Sequence, residues 1–246
     1  MNLEQKIIDY AKQQAPHEMC GFVVFDGGKM RFIACDNIAS EPEHYFEIAT
    51  DDWLKVQAYD GVIALVHSHP DGEPALSAAD QQMQLQSGLD WWLVCDSKLH
   101  KFRHIQPLLG RTFVNQAADC LSLCRDAYML SGQDFPQFDY TFDWYEKGEQ
   151  SYIDGLAKYG FERLADSQDL QLGDIVMMQV GSSVANHAGL YLGDQLLLHH
   201  SPNQLSRRVI YGGYYLQVTH SIWRYKQCSQ LNFTAILNNL SLTINR

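Results

Sequence analysis

The first 105 residues contain a series of short apolar runs that are rich in β-branched and aromatic residues. Runs of about four to eight such residues between turn-forming residues are typical of strands. The run 61–66 is continuously apolar, and the run 22–25 turns at Gly27 and Gly28 into the next. The predicted strands are 22–25, 30–34, 61–66, 91–95 and 101–105. We therefore expect a β-rich unit in this part of the chain.

The pattern differs after residue 110. Leucine, cysteine and tyrosine spacing over 119–128 is typical of an amphipathic helix that begins at Cys120. A short helix over 151–160 would be closed by its final glycine. The apolar stretches 187–192 and 195–200 flank a Gly-Asp turn and predict a β-hairpin.

The length of the chain predicts two domains. Its 246 residues exceed the roughly 100 to 150 that are usual for one domain. The segment 106–111 contains a proline and a glycine, which are typical of a connector between domains. We therefore predict domains at residues 1–108 and 109–246.

A candidate metal site follows the predicted strand 61–66. His67 and His69 are two residues apart, so both imidazoles point to one face of the strand. Ser77 and Asp80 have capping-box spacing, which predicts a helix with Asp80 in its first turn, facing the end of the strand. Two histidines and one carboxylate are three protein ligands, the number with which proteins hold catalytic zinc. Alone, the histidine pair could simply end a strand and Asp80 could simply cap a helix. Only their combined spacing predicts a metal site.

Glu18, just before the first predicted strand, completes a known motif. Glu18, His67-x-His69, Ser77 and Asp80 resemble the JAMM/MPN metallopeptidase motif at every position. The resemblance implies that His67, His69 and Asp80 bind Zn2+, that Glu18 is the general base, and that Ser77 supports the water and the oxyanion. It also implies a β-sheet flanked by helices.

A candidate nucleophile opens the second predicted domain. At a helix N-terminus, the thiol of Cys120 would be stabilised as a thiolate, so we expect a lowered pKa. His187 is the available imidazole partner. In the predicted hairpin, a three-residue turn places His199 opposite His187, whereas a two-residue turn places His200 there. The pattern leaves these alternatives open.

The order of these residues resembles the NlpC-type cysteine peptidases, papain-related enzymes that cut bacterial cell-wall peptides. The residues that carry the resemblance are Asp119-Cys120, Leu172-Gly173-Asp174, His187-x-Gly and a histidine twelve positions after His187. The resemblance implies that Cys120 attacks the amide carbonyl, that His187 is general base and then acid, and that His199 orients His187. It also implies a helix packed on an antiparallel sheet.

One departure from that family concerns an aromatic residue. The tyrosine that usually precedes the cysteine has no clear counterpart, and Phe113 is the nearest aromatic residue. Aromatic residues concentrate instead in the segment 131–169, and we expect them to wall the cysteine site.

Composition narrows the classes of partner. The net charge of −11 argues against a general nucleic-acid binder. No apolar run approaches the roughly 18 residues of a membrane span, and the polar first residues do not predict a signal peptide. Six cysteines without regular spacing are typical of a reducing compartment. We expect the chain to be made and kept in a cytosol.

A JAMM-like unit followed by an NlpC-like unit resembles the tail assembly proteins of lambda-like tailed bacteriophages. This resemblance implies an α+β protein of two domains, with a zinc peptidase site and a Cys-His-His site acting on peptidoglycan stem peptides. The implied partners are phage tail tip proteins and peptidoglycan peptides. The implied locations are the host bacterial cytoplasm during assembly and the virion tail tip.

Two other functions stay open at this point. One is a structural tail assembly factor whose sites are vestigial or process a tail protein once. The other is a JAMM isopeptidase acting on ubiquitin-like tags, which would leave the second domain unexplained.

Overall fold

The computed structural model describes residues 2–141, 143–165 and 169–242. Contacts within the chain divide it into two compact units, which meet in sequence between Ile105 and Gln106. Phe142 and residues 166–168, which belong to the predicted aromatic segment, lie outside the described residues. None of the described helices is long and apolar enough to cross a membrane.

The first unit is a five-stranded sheet with three helices. Its strand order is β2-β1-β3-β4-β5, in which β3 and β4 are parallel and the other neighbours antiparallel. The elements are α1 (Leu3–Gln14), β1 (Cys20–Asp26), β2 (Lys29–Cys35), α2 (Thr50–Val56), β3 (Gly61–Ser68), α3 (Ala78–Ser87), β4 (Asp90–Cys95) and β5 (Lys98–Phe102).

Four of the predicted strands are confirmed here, and the fifth is displaced. The strand predicted at 101–105 ends at Phe102. The backbone N–H of His104 donates to the side chain of Asp90 at 2.8 Å, so this amide is satisfied outside the sheet.

Helix α1, which the sequence reading did not predict, covers one face of this sheet. Ile7 and Ala11 are buried in a cluster with Val23, Val66 and Trp92. Asn2 caps the helix by accepting a hydrogen bond from the backbone of Gln5. Apolar residues lie along one face of α1 and polar residues along the opposite face, so the helix packs on the sheet with its apolar face.

The second unit is a six-stranded antiparallel sheet of order β10-β9-β8-β7-β11-β6. The elements are α4 (Cys120–Leu130), α5 (Ser151–Lys158), β6 (Phe161–Arg163), β7 (Ile175–Met178), β8 (His187–Gly193), β9 (Leu196–His199), β10 (Arg207–Ile210), α6 (Tyr214–Gln217), β11 (Thr219–Tyr225) and α7 (Thr234–Leu240).

Helix α4 is the buried helix of this unit and packs against β8. It begins at Cys120, as predicted, because Asp119 and Ser122 form a capping box in which each side chain bonds the other's backbone N–H. The guanidinium of Arg111 donates to the carboxylate of Asp126 at 2.7 Å, and this buried ion pair ties the segment before α4 to the helix. The predicted α+β class of both units is confirmed.

Candidate active sites

The metal-ligating residues predicted in the first unit converge. The imidazoles of His67 and His69 extend from the end of β3, and their Nε2 atoms lie 3.1 Å apart. Asp80, in the first turn of α3, brings an oxygen to 3.3 Å from Nε2 of His69 and 3.7 Å from Nε2 of His67. A search of the described residues for acidic, histidine and cysteine side chains that could hold a metal ion together finds this one group.

The spacing of these three atoms fits zinc. In a tetrahedral site with bonds of about 2.0–2.1 Å, ligand atoms are about 3.4 Å from one another. The measured separations of 3.1, 3.3 and 3.7 Å surround that value. The donor set is also chemically suitable, because neutral imidazole nitrogen and carboxylate oxygen are both zinc ligands.

Neighbouring groups fix the orientation of these ligands. Nδ1 of His69 lies 3.0 Å from the carbonyl oxygen of Glu73 and donates to it, which leaves Nε2 free to bind a metal. The backbone N–H of Ser77 donates to Asp80 at 2.9 Å. The rings of Phe46 and Trp91, which the sequence reading missed, pack on the buried imidazole of His67 at centroid distances of 5.0 and 5.3 Å.

Glu18 lies close enough to this group to interact electrostatically with it. Burial raises the pKa of Glu18 to about 7, while the charge of His69 lowers it and that of Asp80 raises it. Register explains the position, because Cys20 of β1 pairs with His67 of β3 and Glu18 lies two residues before Cys20. The structure thus brings the predicted base to the edge of the predicted metal site.

Ser77 has a structural role that the geometry makes explicit. Its hydroxyl accepts a hydrogen bond from the backbone N–H of Asp80 at 3.1 Å, so the predicted capping box is confirmed. The side chain is exposed. Its predicted part in catalysis stays a prediction.

Cys120 lies at the first position of α4 and is almost fully buried. The hydroxyl of Tyr152, from α5, is 3.9 Å from its sulfur. Burial and the charge of Asp119 raise the pKa of the Cys120 thiol to about 12, although the backbone of Ala188 and the Tyr152 hydroxyl oppose this. The expected lowered pKa is therefore wrong for the protein without substrate, because desolvation outweighs the helix N-terminus.

The predicted histidine pair is also present in this unit. Nε2 of His187 lies 3.1 Å from Nδ1 of His199, and Nε2 of His199 lies 3.2 Å from the hydroxyl of Tyr215. His200 instead turns away, and its ring packs on Phe113. Both ring nitrogens of His200 are buried without a hydrogen-bond partner among the described residues.

The sequence left open whether His199 or His200 lies directly opposite His187, and the structure places neither of them there. The register pairs His199 with Gly189. The turn has two residues, Asp194 and Gln195, and the register shifts between Tyr191 and Gly193. His187 and His199 are therefore diagonal neighbours on one face, a separation that imidazole rings can bridge.

Both histidines are held in the neutral form. Burial lowers the pKa of His187 to about 3, and the charges of His199 and His200 add to this effect. Burial likewise lowers the pKa of His199 to about 4, with a contribution from the Arg207 guanidinium. Cys120 and His187 line the same cleft, but the structure places no hydrogen bond between these two side chains.

The cleft that contains Cys120 and His187 has a volume of about 620 Å³. Its walls combine aromatic rings with polar groups, and the charged residues among them are Asp119 and Arg207. Tyr152 supplies the hydroxyl near the cysteine that Phe113 cannot, and the sequence reading missed it because Tyr152 follows the cysteine in the chain. The aromatic residues of the cleft are Phe113, Trp144, Tyr145, Tyr152, Tyr214 and Tyr215.

Two family models match this chain, one in each unit. The model of the NlpC/P60 family matches residues 110–224, and that of prokaryotic homologs of the JAB domain matches residues 2–106. The tail tip assembly protein K of Escherichia phage lambda is 44% identical over 193 residues, which cover 78% of this chain and 96% of that protein. The tail tip assembly protein K of Escherichia phage N15 is 34% identical over 236 residues, which cover 91% of this chain and 96% of that protein.

Proposed function

We propose that this chain, which belongs to the family of tail tip assembly protein K, takes part in phage tail tip assembly and hydrolyses amide bonds at two sites. The observation that supports the proposal is that each unit brings together its own set of candidate catalytic or metal-binding side chains. His67, His69 and Asp80 converge in the first, and Cys120 and His187 share a cleft in the second. The matches to the JAB and NlpC/P60 families support peptidase chemistry at both.

In the first unit, we assign His67, His69 and Asp80 as ligands of Zn2+. Zinc would supply a Lewis acid and lower the pKa of water to about 7. Glu18 would take a proton from the attacking water and return it to the leaving amine, a task suited to a carboxyl group whose pKa lies near 7. Ser77 would donate its hydroxyl to the developing oxyanion.

In the second unit, Cys120 would attack the amide carbonyl and His187 would receive the thiol proton. Nε2 of His187 faces His199, so Nδ1 is the nitrogen left to accept that proton. His199 would accept from Nε2–H of His187 and donate through its own Nε2–H to Tyr215, which holds His187 in the required tautomer. His187 would then protonate the leaving amine, and water would release the acyl group from the sulfur.

The backbone N–H of Cys120 and the hydroxyl of Tyr152 are the donors available to the oxyanion. Because burial favours the neutral thiol and the neutral imidazole, the proposed step moves the thiol proton to His187 as the sulfur attacks.

Peptidoglycan stem peptides are the proposed substrates of the cysteine site. A cleft of about 620 Å³ can hold several residues of an extended peptide, and its aromatic walls can pack against peptide or sugar. Tail tip proteins are the proposed partners, in the host cytoplasm during assembly and at the virion tail tip afterwards.

Digestion of purified peptidoglycan by the full chain tests the cysteine site. Released peptides would be identified by mass spectrometry, and we expect new stem-peptide ends. Cys120→Ala should abolish their release, whereas Cys228→Ala, at a partly exposed cysteine outside the cleft, should not. Equal release by the wild type and Cys120→Ala would contradict the assignment.

Metal content tests the zinc site independently of any substrate. We expect about one zinc per chain by elemental mass spectrometry after purification in zinc, and loss of most of it in Asp80→Asn. Asp71→Asn alters a nearby exposed carboxylate and should leave the zinc content unchanged. A chelator should remove only those cleavage products that depend on this site.

A second candidate function is a structural assembly factor whose cysteine site acts once on a tail protein. It is favoured by the resting geometry, in which Cys120 is buried, protonated and without a hydrogen bond to His187. A single cleavage of a tail protein in mixed assembly extracts, with no release from peptidoglycan, would support this function over the first.

A further inference from the structure

Cys20 and Cys35 face each other at the open end of the β1–β2 hairpin in the first unit. The register of the two strands pairs them directly, so both side chains lie on the same face of the sheet. The side chain of Cys20 reaches across to the neighbouring strand, where its sulfur lies 3.7 Å from the carbonyl oxygen of Cys35. Both residues are buried, and both are free thiols. The structure thus holds two reduced cysteines side by side.

The spacing of such a pair suits a disulfide. Directly opposite residues on antiparallel strands have Cα atoms about 4.5–5.5 Å apart, and a disulfide allows about 4.4–6.8 Å. Their Cβ atoms lie about 4.5–5.5 Å apart, so an approach of about 1 Å brings them to the distance found in disulfides. A bond between the two sulfurs therefore needs only a small local movement of the strands.

None of the other cysteines has a cysteine directly opposite it, and all six lie among the described residues. Cys95, the last residue of β4, pairs with Lys98. Cys120 and Cys124 are one turn apart on α4 and do not face each other across two strands. Cys228 lies in a short 3-10 helix outside the sheets. The register therefore singles out one pair.

We propose that Cys20 and Cys35 form an intrachain disulfide when the protein leaves a reducing compartment, with a small disulfide such as oxidised glutathione as the oxidant. Thiols persist in a reducing cytosol and oxidise outside it. Neither zinc nor substrate takes part in this reaction. Cys20 also pairs with His67, and Glu18 lies two residues before it, so the new bond would fix the end of β1 that positions the candidate base.

Cys35 is the thiol that reacts first. It is the last residue of the edge strand β2 and is 6% exposed, whereas Cys20 is fully buried. Transient opening of this strand end gives the oxidant access. The Cys35 thiolate attacks oxidised glutathione and releases one glutathione thiolate, and the Cys20 thiolate then attacks the mixed disulfide and releases the second. The two cysteines lose two electrons and two protons, which convert one glutathione disulfide into two glutathione thiols.

The surroundings of Cys35 make this oxidation slow. Burial raises the pKa of the Cys35 thiol to about 11, and the charge of Asp52 adds to the shift. The reactive thiolate is therefore scarce at neutral pH, and we expect oxidation of the native protein over hours. A thiol of high pKa is also a poor leaving group, so the disulfide, once formed, should resist reduction.

Peptide mapping of the full chain tests this proposal. Protein purified in reductant would be incubated with oxidised glutathione, alkylated in denaturant and then digested with trypsin. Cleavage at lysine and arginine places the two cysteines in different peptides, 13–29 and 32–55. We expect mass spectrometry to find these two peptides joined, with the mass of two hydrogen atoms missing. Alkylation before digestion prevents later thiol exchange from creating the link.

Two variants give a matched comparison. Cys35→Ala removes one member of the pair, whereas Cys95→Ala replaces another buried cysteine at the end of a strand in the same sheet. We expect no joined peptide in Cys35→Ala and the wild-type yield in Cys95→Ala. Oxidation should also raise the urea midpoint of the first unit by about 1 M in the wild type and Cys95→Ala, but not in Cys35→Ala, because the bond restricts the unfolded chain.

Separately alkylated or glutathionylated cysteines after prolonged incubation would overturn the proposal. A joined peptide that forms only when the chain is oxidised in unfolding concentrations of urea would overturn it too, because the native register would then have no part in the reaction. A joined peptide with an unchanged urea midpoint would keep the oxidation site and contradict the fixing of β1. Loss of zinc binding or of amide hydrolysis would contradict the proposed function and leave the disulfide unaffected.

Discussion

His199 and His200 are adjacent in the chain but make different contacts. His199 bonds His187 and Tyr215, whereas the ring of His200 packs on Phe113. The alternation of a strand predicts that only one of them can face His187, but the choice depends on a turn and a register shift. The sequence pattern specifies neither the turn nor the register shift. It could therefore narrow the partner of His187 to His199 or His200 but could not choose between them.

We predict that His199→Ala lowers kcat for peptide cleavage by about a hundredfold or more, because His187 loses the group that fixes its tautomer. His200→Gln should retain activity within about threefold of the wild type, since the ring of His200 packs on Phe113 and makes no hydrogen bond to His187. Cleavage rates of both variants, with unfolding midpoints to verify their folding, provide the measurement. The reverse ranking would place the third member of the triad at His200.

Tyr152 follows Cys120 in the chain, whereas the tyrosine of NlpC-type peptidases usually precedes the cysteine. Its ring packs on Trp144 at a centroid distance of 4.5 Å and its hydroxyl faces the Cys120 sulfur. Tyr152→Phe keeps the ring and removes the donor, so we expect kcat to fall about tenfold with stability changed by less than about 1 kcal/mol. Tyr145→Phe, also in the cleft, should have little effect on kcat. Equal effects of the two variants would count against an oxyanion role for Tyr152.

At the scale of elements, the sequence was most informative where a local rule determined an element. A capping pair predicted the start of α3, the spacing of leucine, cysteine and tyrosine predicted the start of α4, and apolar runs predicted four of the five strands in the first unit. The sequence predicted least where residues distant in the chain determine the end of an element. Near the end of β5, for example, the backbone N–H of His104 donates to the side chain of Asp90. The three zinc-ligand candidates were predictable because strand alternation and a helix cap together fix their directions.

The cap of α3 allows the two roles of Ser77 to be separated. Ser77→Ala should lower stability by about 1 kcal/mol through loss of the cap. Ser77→Asp should restore the cap and stability, because aspartate accepts the same N–H bond. If the hydroxyl is catalytic, chelator-sensitive cleavage should be lost in both variants. Recovery of that cleavage in Ser77→Asp would assign Ser77 a structural role alone.

At the scale of the whole molecule, length and the connector predicted two folding units, and the chain contacts divide near Ile105. The burial of two histidines in the second unit has a consequence for its stability in acid. An unfolded histidine binds protons with a pKa of about 6.5, whereas His187 and His199 do so only near about 3 and 4. Their contribution to stability is therefore complete above about pH 6.5 and is lost as the pH falls toward 3.

We expect urea unfolding of the second unit, followed by tryptophan fluorescence, to move to lower urea as the pH is reduced from about 7 to 4.5. His187→Asn, which removes one buried titrating group, should flatten this dependence by up to about 1 kcal/mol per pH unit. His220→Asn, at a partly exposed histidine outside the cleft, is the control for replacing a histidine in this unit. An unchanged slope in His187→Asn would contradict a neutral, buried imidazole.

The reciprocal caps of α3 and α4 also affect how this protein can change by mutation. Asp80 is both a candidate zinc ligand and a partner in the cap with Ser77, and Asp119 caps the helix that begins with the candidate nucleophile. A substitution at Ser77, Asp80 or Asp119 therefore alters the start of a helix and the placement of a reactive group in a single step. Selection for stability and selection for chemistry act on the same atoms at these three positions, so lineages that abandon one site are expected to lose the cap together with it.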